Sequence, residues 1–298
     1  MPRPEANIDH ATQKAVSYSQ YSMYSQCQYQ WYLSYACGHS SFKPSIYLTY
    51  GTSLHETLQE YLDVMFNKSI KEADELDLNK MLEDRMVSNY KQSLVENKNE
   101  HFSNKDQMRE FIEDGQLSLD WFKKNRSRYF TRKNTHLVGI EIPILRPVTD
   151  NVFIRGFIDF IIYEKILDKY TIFDIKTSTR GWSDKDKKDQ TKINQILFYK
   201  RFYSEMLNVS EDRIEVKFFI VKRKVFSNPD YPIYRIQEFI PASGKKKVED
   251  AIKDLNLFVS HCFTKDAKHN IDQVYIKNLD ACKYCAFKDR NDLCDKKS

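Results

Sequence analysis

Between residues 151 and 176 the chain carries apolar residues densely enough for two buried strands. Val152, Ile154, Phe157, Ile158, Phe160, Ile161 and Ile162 supply the first, and Tyr170, Ile172, Phe173 and Ile175 the second. The polar run 164–169 between them predicts a hairpin turn. A shorter strand over 137–145 precedes the pair, its apolar pattern interrupted by Glu141. Further strands are predicted over 213–226, with a basic end at Lys222, Arg223 and Lys224, and over 233–240 as its hairpin partner.

Elsewhere the period is helical. Residues 1–16 read as a loose polar lead-in. A helix capped by Ser19 then runs to about Ala36, with Tyr24, Gln28, Trp31, Tyr32 and Tyr35 spaced three and four apart. After a loop over 37–50, Gly51 opens a second helix. Ser53 and Glu56 form its capping box, and Leu54, Leu58, Tyr61, Leu62 and Met65 its apolar stripe. Residues 67–133 are charged and poor in Gly and Pro. They predict one helix around Met81, Leu82, Met86 and Tyr90, and another around Met108, Phe111, Ile112, Leu119 and Phe122. Helices follow over 191–207 and from 245 to about 263. The expected class is α/β with a mixed sheet, in four parts: N-terminal helices (1–66), a helical insertion (67–133), a core (134–265) and a cysteine-rich tail (266–298).

Composition narrows the function. With 298 residues, 41% hydrophobic and 30% charged, the chain is globular rather than disordered. A net charge of +5 favours an anionic partner without establishing one. Seven glycines include no phosphate-cradling loop, so nothing argues for a motor. No apolar run approaches the ~18–20 residues of a membrane helix, and MPRPEANIDH lacks a signal-peptide core. A cytoplasmic location is expected, where six cysteines are metal ligands or free thiols rather than disulfides.

Charged residues inside apolar strands need an explanation. Asp159, Asp174 and Lys176 interrupt the 151–176 pair, and an unpaired buried charge is expensive. Two readings stay open: an ordinary buried ion pair, or two converging carboxylates that hold Mg²⁺ or Mn²⁺ while Lys176 orients water or stabilises the transition state. Glu141 is a further acidic contributor or an edge residue. Lys123, Lys124, Arg126 and Arg128 beside Tyr129 and Phe130 can track a single strand by charge and stacking, or simply end a solvated helix. The polar loop 177–190, with Arg180 and Trp182, is placed to flank a substrate channel. Cys282-x₂-Cys285-x₈-Cys294 has metal-ligand spacing but is one thiolate short, and Cys27 is the natural fourth. Zn²⁺ suits four thiolates too.

Gly156-Phe157-Ile158-Asp159 followed by Asp174-Ile175-Lys176-Thr177-Ser178 resembles the PD-(D/E)XK nuclease motif, and more specifically that of RecB-type, AddB-like exonucleases. Gly51-x₃-His55 and Gln195-x₃-Tyr199 resemble two further motifs of that family in the expected order. Cys27 and the three tail cysteines resemble the one-plus-three arrangement of its iron–sulfur members, which include the CRISPR adaptation exonucleases; Gln28 stands where the family usually has proline. The resemblance implies an α-βββ-α-β restriction-endonuclease-like core. It implies metal ligation by His55, Asp159, Asp174 and the Ile175 carbonyl, and catalytic roles for Lys176, Gln195 and Tyr199. A [4Fe–4S] cluster on Cys27, Cys282, Cys285 and Cys294 would staple the two termini, with zinc as runner-up, while Cys37 and Cys262 are bystanders. The activity implied is metal-dependent DNA exonuclease action on single strands or ends, in recombination, repair or replication, alone or with a separate helicase or recombination protein. A silent DNA-binding scaffold and a structure-specific endonuclease are the alternatives.

Overall fold

The computed structural model describes residues 8–39, 43–226, 232 and 234–295. The lead-in expected over 1–16 ends in a strand, β1 (Lys14–Ser17), and its residues 1–7 lie outside the described residues. Ser17, not Ser19, caps α1 (Tyr18–Gln26) by accepting from the Gln20 N–H. The helix predicted to reach Ala36 breaks at Cys27, whose backbone is extended (φ −158°, ψ 109°). It resumes as α2 (Gln28–Trp31) and a π turn over Tyr32–Ala36.

The second helix, α3 (Ile46–Asn67), starts at Ile46 under a Ser45 cap rather than at Gly51. Ser53 is therefore mid-helix and buried, donating to the Thr49 carbonyl, and Glu56 accepts from Asn89. The predicted capping box does not form. The predicted stripe does: Leu54, Leu58, Tyr61, Leu62 and Met65 are all buried. Then come α4 (Ile70–Glu75), α5 (Leu78–Glu96) and α6 (Lys105–Asn125), capped by Ser69, Asp77 and Asn104. The meander is β2 (Thr135–Pro147), β3 (Val152–Glu164) and β4 (Lys169–Ser178). After it run α7 (Asp184–Lys188), α8 (Gln190–Leu207), β5 (Ile214–Lys222), β6 (Ile236–Phe239) and α9 (Lys245–Cys262). The strand expected over 233–240 is shorter, and Ile233 lies outside the described residues.

The strands form one mixed sheet, which makes the fold α/β with the α-βββ-α-β order expected of a restriction-endonuclease-like core. β2 pairs antiparallel along one edge of β3. The other edge is shared. β1 runs parallel to Val152–Arg155, whereas β4 runs antiparallel to 160–164. Residues 156–159 lie between those two partners, where β3 and β4 separate into a fork. β4 is joined through α8 to its parallel neighbour β5, and β6 closes that side.

Each face of the sheet builds a core, and the side-chain alternation of β3 shifts between Ile158 and Phe160. On one, Ile158, Ile161, Ile172, Val216 and Phe218 pack against α1, α8 and α9. On the other, Phe160, Phe173, Ile175 and Phe219 pack against α3, α5 and α6. Helices of residues 67–133 pack on this second face. Part of the basic–aromatic cluster is spent in the same way, while Lys124 and Arg128 stay exposed. Phe130 is buried against Phe160, Phe173 and Phe219, Arg126 pairs with Asp74, and Lys123 donates to the Leu76 carbonyl. Arg223 is buried too, paired with Glu110 and Asp114 beneath its contact with the Phe111 ring at 4.0 Å.

Candidate active site

The fork between β3 and β4 gathers the charged residues that the strand pattern could not accommodate. Past the pair Phe160–Phe173 the β3–β4 ladder stops. The Ile175 N–H then donates to the Asp159 Oδ2 at 2.5 Å. Asp174 lies one residue before it, and its side chain is 2% exposed. Lys176, two residues on, places Nζ 2.8 Å from Asp174 Oδ2 and donates to Gln195 Oε1 at 2.8 Å. That carboxylate oxygen is buried and has the ammonium charge nearby but no aligned hydrogen bond. Gln195 passes the contact on, its Nε2 donating to the Tyr199 hydroxyl at 3.3 Å. Gln195 and Tyr199 are one turn apart on α8, so one helix face delivers both to the fork.

His55 arrives from the opposite layer. It sits in the middle of α3, not in a first turn, and its Nδ1 is 3.7 Å from Asp159 Oδ2. Burial, and then the Lys176 charge, push its pKa down to about 3, so the imidazole is neutral and its lone pair is free to ligate. Burial raises Asp159 well above the ordinary carboxylate range, reinforced by the charge of Asp174. Burial also raises Asp174, against the pull of Lys176. Tyr199 is raised by burial and by the two aspartates, so it keeps its proton.

The motif glycines have a packing reason. A Cβ on Gly156 would lie 3.2 Å from Tyr199 Cε1, and one on Gly51 3.3 Å from Thr177 Oγ1. Both glycines let a motif helix approach a motif strand closely. Two neighbours escaped the sequence analysis. Gln59, one turn beyond His55, donates to Glu141 Oε1 at 2.6 Å and to the Asp159 carbonyl at 3.1 Å. Tyr18 donates to the Thr191 carbonyl, and burial, with the nearby charge of Asp174, keeps its hydroxyl protonated. The helical spacing from His55 to Gln59 was the available signal for the first.

The donor set suits a hard divalent cation: two desolvated carboxylates that repel each other, one with a buried oxygen lacking a hydrogen bond, beside a neutral imidazole. Among the described residues no three His, Cys, Asp or Glu side chains already stand at the spacing of one bound ion, here or elsewhere. At the fork, Lys176 and the Ile175 N–H hold the two carboxylates instead.

The cysteines form a second cluster. Cys27, Cys282, Cys285 and Cys294 line one hollow together with Tyr29, Leu33 and Phe287. The break between α1 and α2 turns Cys27 towards the tail, where the Asn278 N–H donates to its sulfur at 3.4 Å. The Phe287 N–H does the same for Cys285. Gln28 accepts from the Ile276 N–H at 3.1 Å, a bond to the tail that proline could not make. Four sulfurs, two with amide donors, around an apolar hollow fit a thiolate-bound cluster. Cys37 is exposed and Cys262 buried in the core, and neither lines the hollow.

The PD-(D/E)XK nuclease superfamily profile matches residues 15–290, and the chain belongs to that superfamily. A search of curated proteins returned no match. Among the described residues no helix is long and apolar enough to cross a membrane.

Proposed function

We propose that the chain is a metal-dependent DNA exonuclease. The observation that carries this is the meeting of Asp159, Asp174 and Lys176 at one fork with His55 from α3 and Gln195 and Tyr199 from α8. Asp159, Asp174, His55 and the Ile175 carbonyl would hold Mg²⁺ or Mn²⁺. That ion would stabilise charge on the scissile phosphate and lower the pKa of a bound water. Lys176 orients the attacking water from the Asp174 side, with Gln195 fixing its ammonium. Tyr199, kept protonated, donates to a phosphate oxygen. The cysteine hollow would hold a [4Fe–4S] cluster, with one Zn²⁺ as the alternative; the two N–H···S bonds support thiolates at Cys27 and Cys285.

The exonuclease mode and a role in recombination, repair or replication follow from the RecB-type resemblance, with DNA as substrate and a helicase or recombination protein as partner. The test is digestion of end-labelled linear DNA and of closed circles with Mg²⁺, Mn²⁺ or EDTA. Metal-dependent loss of linear DNA with circles intact is expected. Cleavage of circles would replace the exonuclease with an endonuclease. Metal-independent binding without cleavage would replace it with a scaffold.

A further inference from the structure

Glu141 is the acidic residue that the strand pattern left undecided between the site and the sheet edge. It lies on β2 between the pairs Ile140–Phe160 and Ile142–Ile158, level with Asp159. Its φ is +51°, a left-handed conformation that non-glycine residues in strands rarely adopt. Such conformations persist where the surroundings fix them, and they concentrate at functional sites. Here the fixing contact is Gln59, whose Nε2 spans the Glu141 carboxylate and the Asp159 carbonyl. Gln59 is 6% exposed and shares α3 with His55. One buried amide therefore ties the histidine helix, the Asp159 strand and Glu141 together.

Charge gives the arrangement its meaning. The Asp174 and Glu141 carboxylates both lie close enough to act on Asp159, and Lys176 is the cation beside them. One Asp174 oxygen in this fork is buried without an aligned hydrogen bond, and Gln59 holds the Glu141 carboxylate at the same fork. Resting on the metal-dependent reading above, we propose that Glu141 is the third carboxylate facing the metal, and that Gln59 is the positioning residue that aims it.

Glu141→Gln separates charge from position, because the amide oxygen can still accept from Gln59. The measurement is Mn²⁺ titration of the full chain followed by electron paramagnetic resonance, with wild type, Glu141→Gln and Asp174→Ala. Carboxylates that support a metal site are worth about 10–100-fold in affinity, and a Kd weaker by that factor is expected for Glu141→Gln, with the circular dichroism unchanged. Wild-type Mn²⁺ affinity in Glu141→Gln, beside lost binding in Asp174→Ala, would overturn the role of Glu141 and leave the nuclease reading standing. Absence of Mn²⁺ binding by wild type would overturn both.

Discussion

At the residue scale, the site is a set of charges held where solvent cannot relax them. Asp159 and Asp174 have pKa values raised by burial and, for Asp159, by their mutual repulsion. A carboxylate raised in the folded state stabilises the metal-free protein below its unfolded pKa of about 3.9, and that stability is lost as pH rises through the raised folded value. These two carboxylates should therefore lower the thermal stability of the metal-free protein as pH climbs above the acid range, while His55, its pKa lowered, works in the opposite direction up to its ordinary value. Added Mg²⁺ or Mn²⁺ should restore it, and more so at higher pH. Asp174→Asn should flatten both trends in a melting series. A pH-independent melting temperature with and without metal in wild type would contradict this. The glycine contacts make a second prediction. Gly156→Ala forces the Tyr199 ring to move by a few tenths of an ångström. Cleavage should fall by about 10- to 100-fold while stability drops by only about 1–3 kcal/mol. Unchanged kinetics would show that Tyr199 does not need its present position.

At the element scale, what was legible in the sequence was whatever a short window contains. The β3–β4 pair, the stripe of α3 and the α8 face with Gln195 and Tyr199 are local periodicities, and they formed where expected. What was not legible depends on distant partners. β1 is four residues long and exists because it pairs with Val152–Arg155, far along the chain. Gly51 looked like a helix start but is a helix interior thinned for Thr177, and the Ser53/Glu56 spacing only imitates a cap. The left-handed Glu141 leaves no trace in an apolar pattern. The same reasoning reassigns Phe130 from a stacking platform for nucleotides to the core, where it meets the rings of Phe122, Phe160, Phe173 and Phe219. Phe130→Ala should cost about 3–5 kcal/mol of unfolding free energy, measured by denaturant titration. A change near zero, with weakened DNA binding instead, would restore the surface role.

At the scale of the whole molecule, three layers and one latch bring the site together. α3 carries His55 in from one face of the sheet and α8 carries Gln195 and Tyr199 in from the other. The fork itself comes from β3 having two successive partners on one edge. The latch joins α2 to the tail: the Tyr29 N–H reaches the Ile276 carbonyl at 3.2 Å, its hydroxyl reaches the Leu293 carbonyl, and the cysteine hollow lies between. If that hollow holds an iron–sulfur cluster, Cys285→Ser should remove the visible absorption and lower the melting temperature through lost closure of the termini. The circular dichroism of the sheet should remain. A colourless wild type that carries zinc would assign the hollow to the other metal.

The central claim is that the fork is a metal-dependent phosphodiesterase. Its most direct test is single-turnover cleavage of linear DNA in Mg²⁺ or Mn²⁺ by wild type and Asp174→Ala, each shown to be folded by circular dichroism. Metal-dependent cleavage by wild type and none by the folded variant is the predicted result. Equal cleavage by both proteins would contradict the account.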